Sequence, residues 1–386
     1  MNDRRGPLSG VRIVDFTANM AGPFATQILG DQGADVVKIE PPDGDPMRNL
    51  GNGHAGYSAF YANLNRSKRG ITLDLGHPEA HRIVQPLLDG ADVVVQASRP
   101  EPARRFGLDA PQVMAGRPRV IHATISGFGS VGPYAGRPAY DHVIQAMSGF
   151  AAAQANATTG EPELVRQGIV DKLVGNTAAQ AITAALFERS QTGVGRAIEV
   201  RMLDSALAFL WPDAMMNDTV IEPEVRRASI TRSFRLTPTS DGHVAFALVT
   251  ARQVQRLAEA VGLDPVAPSG GIMNATRQRL AELTTNEAVE LLARFDVAVA
   301  PVLSLDQLYA HPQAIAANAV DEWEHPVLGT VRQANPAVRW GDERVTNLRA
   351  APSLGADTRE VCAELGLDDV EVDRLRAAGV FGSQFS

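Results

Sequence analysis

Val11-Arg-Ile-Val-Asp15-Phe-Thr-Ala-Asn-Met20-Ala-Gly-Pro-Phe-Ala25-Thr-Gln-Ile-Leu-Gly30-Asp-Gln-Gly-Ala-Asp35-Val-Val-Lys-Ile-Glu40 is the stretch from which the fold can be read. Its two apolar runs, Val11 to Asp15 and Ala34 to Glu40, have the length and composition of buried strands. Ala21-Gly22-Pro23 reads as a turn, and Phe24 to about Gln32 as the helix between the strands. Strand–helix–strand predicts a parallel sheet with crossover helices. Such sheets collect ligands at the carboxyl ends of their strands, here Asp15 to Asn19 and Glu40 to Arg48. The phosphate-cradling patterns G-x-G-x-x-G and G-x-x-x-x-G-K-[ST] do not follow the first strand, which argues against a nicotinamide or nucleoside-triphosphate enzyme.

The same rhythm continues outward. Asn63-Leu-Asn-Arg66-Ser-Lys68-Arg69-Gly70 reads as a basic turn before a strand at Ile71 to Leu75. Its cations could hold a phosphate or form a solvated loop. A helix from Pro78 to Leu88 leads to a strand at Asp92 to Gln96. The arginines of Ser98-Arg99-Pro100-Glu-Pro102-Ala-Arg104-Arg105 then fall just beyond that strand's end, on the ligand side. A strand from Val120 to Ser126 runs into Gly127-Phe128-Gly129, where two glycines suggest a close backbone approach. The loop after it delivers Ala139-Tyr140-Asp141-His142. Further strand and helix patterns cover Ala197 to Val200 and Leu203 to about Met216. From Ile221 the chain turns polar, and a small α+β pattern follows. It has a hairpin at Asp241-Gly242 and amphipathic helices at Arg252 to Val261 and Asn286 to Phe295. The expected division is residues 1–220, a linker and small domain at 221–325, and a return to the first domain at 326–386.

One stretch carries a chemical reading. Glu163-Leu-Val-Arg-Gln-Gly-Ile-Val-Asp171 stops at an acid, and a helix rich in small residues follows (Ala178, Ala179, Ala181, Ala184 and Ala185), which another helix could approach closely. Asp171 falls where an N-cap belongs. Backbone N–H groups and the helix dipole favour an ionised carboxylate there, the form a nucleophile needs. The alternative is a residue that only caps the helix.

Composition bounds the rest. The 386 residues exceed what one core usually serves. Apolar residues at 45% and charged residues at 21% are ordinary for a soluble globular protein. A net charge of −8 without a Lys/Arg run argues against nucleic-acid binding. The single cysteine, Cys362, excludes an intrachain disulfide and a multi-cysteine metal site. No apolar run reaches membrane-spanning length, and the first residues lack the apolar core of a signal peptide, so a cytoplasmic setting is expected.

Taken together, the motifs resemble the class III CoA-transferases, the family of formyl-CoA transferase and carnitine CoA-transferase, to which α-methylacyl-CoA racemase is related. The resemblance rests on Val14-Asp-Phe-Thr17 with Ala21-Gly-Pro23, Gly33-Ala-Asp-Val-Val-Lys-Ile-Glu40, Asn65-Arg-Ser-Lys68-Arg69 and Ser126-Gly-Phe-Gly129. It continues through Arg137-Pro-Ala-Tyr140-Asp141, Asp171 before its helix, Ala300-Pro-Val-Leu303 and Leu354-Gly-Ala-Asp-Thr358. It implies a Rossmann-like large domain, a smaller α+β domain and an interlocked homodimer, whose threading the segments near 217–232 and 312–335 are long enough to allow. It implies that CoA moves from an acyl-CoA to a carboxylic acid through aspartyl-anhydride and aspartyl-CoA intermediates on Asp171, with no metal. It places coenzyme A along Ala18, Asn19, Met20 and Ala21 and along Ala97 and Ser98. Lys68, Arg69 and Arg105 would approach the phosphates, and Tyr140 the reacting end.

Some positions depart from the family pattern. Formyl-CoA transferase has Gln where Met20 stands, Arg where Pro41 stands and Asn-Phe at Ala97-Ser98. Its run of glycines has no counterpart near Arg232 to Arg235. These differences point to an acyl group bulkier than formyl. The racemase branch has His where Tyr140 stands. A phenol titrates near about 10 and an imidazole near about 6.5, so tyrosine is the poorer proton shuttle. His142, two residues further on a helix, would face away from Tyr140. The alternatives to transfer are racemisation of a 2-methylacyl-CoA and a non-catalytic CoA-binding protein on the same fold.

Overall fold

The structure, a computed structural model, describes residues 6–225, 234–264, 269–341 and 349–382. Six strands form one sheet: β1 (Arg12–Phe16), β2 (Asp35–Glu40), β3 (Lys68–Thr72), β4 (Val93–Gln96), β5 (Ile121–Ser126) and β6 (Ala197–Arg201). Every neighbouring pair is parallel, and the order across the sheet is β3-β2-β1-β4-β5-β6. In the central register Val14 faces Val37 on one side and Val94 on the other. The chain leaves β1 toward one edge and returns to its other side at β4. The strand order therefore reverses between β1 and β4, and a crevice opens above their carboxyl ends.

Three helices position that crevice: α1 (Ala21–Asp31), α2 (Asp141–Ser148) and α3 (Ile169–Thr192). α1 starts at Ala21 rather than Phe24, since proline is tolerated in a helix's first turn. α1 and α3 pack closely because Gly175 meets α1. A Cβ at Gly175 would stand 2.9 Å from the Ala21 carbonyl oxygen and 2.8 Å from the Phe24 ring. Below it Ala178, Ala179, Ile182 and Ala185 are buried, whereas Ala184 faces solvent.

Two sequence expectations change here. The basic stretch is not one turn: residues 63–65 end a helix, Arg66 and Ser67 connect, and β3 already begins at Lys68. Its charges are tolerated inside because each finds partners. The Lys68 ammonium donates to Asn65 Oδ1 (2.8 Å), the Pro23 carbonyl (2.9 Å) and Asp15 (3.2 Å). Arg69 donates to Asp35, Glu360 and Glu364. Likewise Gly168, not Asp171, holds the N-cap of α3, and Asp171 is the helix's third residue.

The chain separates into two compact units, Met1–Pro212 with Asp321–Ser386, and Asp213–Val320. In the first, the core joins Val14, Ile39, Ile71 and Val94 to Val361, Cys362, Leu375 and Phe381 from the C-terminal segment. In the second, an antiparallel sheet (Thr237–Pro238, His243–Ala247, Ala298–Pro301) packs with helices Ala251–Ala260, Ser269–Ala281 and Thr285–Arg294 around Val244, Leu257, Ile272 and Leu292. The first and third of these helices open with capping boxes, Thr250 with Gln253 and Thr284 with Glu287. The second, beginning next to Gly270-Gly271, escaped the sequence reading because glycine pairs look like turns. Residues 226–233 of the expected linker, which include Arg232, lie outside the described residues. The segment expected as a second linker holds a short helix, Pro312–Ala316, and a hairpin of Val320–His325 with Gly329–Ala334.

Candidate active site

The floor of the crevice is built by buried ion pairs. Asp15, at the end of β1, accepts from the Thr17 N–H (2.9 Å) and from the hydroxyls of Thr17 (2.5 Å) and Thr26 (2.6 Å). Burial pushes its carboxyl up, but Lys68, Lys38 and the two hydroxyls outweigh that and hold it below the usual carboxylate range. Burial likewise brings the Lys68 ammonium down to about 8, against the pull of Asp15. From β2, Lys38 donates to the Thr17 carbonyl (2.8 Å) and to Asp45 (3.0 Å). Asp45 in turn accepts from the Asn19 N–H (3.2 Å). Asn19 has φ +67°, a left-handed conformation that asparagine tolerates better than most side chains. The turn from Thr17 to Met20 is thus fixed from beneath, and Met20 lies against Gly168 at the head of α3.

The opposite wall carries Asp171. Gly168 has no side chain to cap α3, and the cap comes instead from α2: Asp141 Oδ2 accepts the Asp171 N–H at 2.9 Å. The other Asp141 oxygen accepts from Gln145 Nε2 (2.5 Å). That same nitrogen lies 3.1 Å from the carbonyls of Val165 and Gln167, and Gln145 Oε1 accepts the Val165 N–H at 2.9 Å. The segment before the helix is therefore clasped to α2. The expectation that Asp171 is held ionised is corrected: burial first, and then the charge of Asp141, push its carboxyl up to about 7.

Between these walls lies a cavity of about 840 Å³, within the first unit and at the carboxyl ends of β1, β4 and β5. It brings together Ala18, Asn19, Met20, Ala21, Ala97, Ser98, Tyr140 and Asp171. Tyr140 is 56% exposed and precedes α2. Gly127 permits its approach, since a Cβ there would meet the Ala139 Cβ at 2.2 Å. Three expected residues do not join the site. Lys68 and Arg69 are buried in their ion pairs, and Arg105 is exposed outside the cavity, with its guanidinium 4.6 Å from the centre of the Phe106 ring. The cavity's cations are Arg99, Arg104 and Arg137. The first two lie just beyond the carboxyl end of β4, on the ligand side where the sequence set all three arginines of that stretch, although the resemblance singled out Arg105. His142 is exposed and does not border the cavity.

A family model described as CoA-transferase family III matches residues 8–358. The chain belongs to CoA-transferase family III. Within that family it is 28% identical over 389 residues to succinate–glutarate CoA-transferase of Agrobacterium fabrum, covering 95% of this chain and 97% of the other. It is 30% identical over 396 residues to the Homo sapiens succinyl-CoA:glutarate CoA-transferase, covering 97% of this chain and 90% of the other. A solved CaiB/BaiF family protein from Brucella suis is similar in structure, with a TM-score of 0.80 at 26% identity over 94% of this chain and all of the other. Among the described residues, no helix is long and apolar enough to cross a membrane.

Proposed function

We propose that the protein transfers CoA from an acyl-CoA thioester to a free carboxylic acid, with Asp171 as nucleophile, as a cytoplasmic interlocked homodimer. The observation that carries this reading is that Asp171 and Tyr140 border one cleft at the sheet's carboxyl edge. The relatives' names supply the reaction class: both act on succinyl, succinate or glutarate groups. An acyl group of that size agrees with the absence of a formyl-type pattern.

In this reading an Asp171 oxygen attacks the thioester carbonyl. The C–S bond breaks, CoA leaves as thiolate and a mixed aspartyl–acyl anhydride remains. The thiolate attacks the aspartyl carbonyl, which releases the donor acid as carboxylate and leaves an aspartyl-CoA thioester. The acceptor carboxylate attacks that thioester, the thiolate leaves again, and its attack on the acceptor's acyl carbon forms the new acyl-CoA and frees Asp171. Each intermediate remains activated, so no nucleotide is consumed. Arg99, Arg104 and Arg137 supply charge for the CoA phosphates, while Ala18 to Ala21, Ala97 and Ser98 form walls that a chain can lie along.

The test is exchange of labelled free succinate, glutarate and longer acids with the matching acyl-CoA, with hydroxylamine present to trap an acylated Asp171 peptide. Exchange with trapping at Asp171 is expected. Exchange that persists in Asp171→Ala would overturn the nucleophile. A carboxyl titrating near neutrality is also what a proton-abstracting base needs, which favours racemisation as the second reading. Asp171-dependent uptake of deuterium at the α-carbon of a chiral 2-methylacyl-CoA would establish that reading in place of transfer.

A further inference from the structure

Two carboxylates converge at the head of α3, and only one of them borders the cavity. Asp141 is buried, yet both its oxygens are engaged, one by the Asp171 N–H and one by Gln145. A 24-residue helix offers the positive end of its dipole to any anion at its first turn. Asp141 occupies that place from another helix, and Asp171 projects from the same turn beside it.

We propose that Asp141, locked by Gln145, is a positioning residue for Asp171. It takes the helix-capping role for itself, so the reacting carboxylate is held beside a like charge and kept basic. This rests on the reading of Asp171 as nucleophile. A carboxylate fully satisfied by amide donors is a weak base and a poor attacking group. One that shares its turn with a second anion loses that satisfaction and gains nucleophilicity.

The other charged and titratable groups near the head of α3 do not take this role. On α2, His142 is exposed and outside the cavity. On α3 itself, Lys172 is held by Gln167 Oε1 at 3.0 Å. On α1, Asp31 lies at the far end and is paired with Arg66. On β5, His122 bonds the Leu108 carbonyl, and on β6 Glu199 pairs with Arg201. The helix after β6, Met202–Leu210, carries Asp204, 3.5 Å from Arg201. Arg137 and Tyr140 border the cavity. Among the described residues, Asp141 is the one whose charge acts on Asp171.

Asp141→Asn tests this, because its amide oxygen can still accept the Asp171 N–H while the charge is gone. Two profiles are measured on the full-length protein. One is the pH dependence of kcat/KM for CoA exchange. The other, without substrate, is the pH dependence of Asp171 esterification by a water-tolerant diazo reagent that reacts with protonated carboxyls, read by mass spectrometry. Both midpoints are expected to fall by at least about one pH unit in Asp141→Asn, with kcat lowered and the KM for acyl-CoA little changed. Gln145→Met, which frees Asp141 but keeps its charge, is expected to shift them less, in the same direction. If Asp141→Asn does not fold, Gln145→Met carries the test alone. Midpoints unmoved in the folded variant would overturn the proposal and leave Asp141 a structural cap. Failure of the nucleophile reading would look different: the esterification profile would shift as expected, but hydroxylamine would trap nothing at Asp171 in the unaltered protein.

Discussion

At Asp171, burial and the neighbouring charge act in the same direction, so the folded state is destabilised wherever this carboxyl is ionised. The folded carboxyl titrates near about 7 against an ordinary 3.8. Below pH 4 both folded and unfolded forms are protonated and nothing is lost. Between 4 and 7 the unfolded chain releases its proton while the folded one keeps it, so stability falls as pH rises. Above 7 the full cost stands, up to about 4 kcal/mol. Asp171→Asn is therefore expected to abolish transfer and to raise the unfolding midpoint at pH 8, with little change at pH 4; an equal effect at both pH values would contradict the shift. Lys68 makes the opposite case. Lys68→Met would strand the buried Asp15, at a cost of about 3–5 kcal/mol. Denaturant unfolding should show that loss; a stable variant with a raised KM for acyl-CoA would instead restore Lys68 as a phosphate ligand. The sequence set Asp171 at the head of a helix and the resemblance set Tyr140 near it, and both residues border the cavity at the sheet's carboxyl edge. It hid the fate of Lys68 and Arg69 because their partners are distant in sequence: Asp15 is 53 residues from Lys68, and Glu364 is 295 from Arg69. A run of cations looks the same whether its counter-ions are phosphates or carboxylates folded in from elsewhere.

Among the elements, α1 and α3 meet through Gly175, and Asp171 lies one turn from that contact. Gly175→Ala would bring a methyl against the Ala21 carbonyl, a backbone atom that cannot turn aside. It is expected to cost about 1–3 kcal/mol and to displace the head of α3, lowering kcat more than it raises the KM for acyl-CoA. Thermal unfolding with steady-state kinetics checks both, and a neutral variant would show that the helices can part without consequence. The strands were legible at this scale because valine and isoleucine runs spaced by helices admit few other readings. The start of α3 was not. Glycine as N-cap leaves no signature, and the group that caps the helix stands 30 residues earlier, on α2. The helix Ser269–Ala281 was lost for a related reason, since its glycines weaken the local signal while its core contact at Ile272 is a matter of packing alone.

In the whole molecule, the first unit exposes the large apolar side chains of Phe187, Phe209, Trp211 and Met147. The proposed interlocked dimer predicts that light scattering at nanomolar concentration still gives twice the chain mass, since linked rings cannot part without opening; a folded monomer on dilution would rule the linkage out. The C-terminal segment has a separate importance. Val361, Cys362, Leu375 and Phe381 close the core begun by Val14, Ile39 and Ile71, and the Val380 carbonyl accepts the Asp74 N–H at 2.8 Å. A ribosome adding roughly 5–20 residues per second needs roughly 15–60 s to pass from β3 to that segment. Throughout that time the strands already made lack the part of their cover that the C-terminal segment supplies. Birth of this protein is therefore a long exposure that ends only when the helices Thr358–Glu364 and Asp369–Ala377 close over that core.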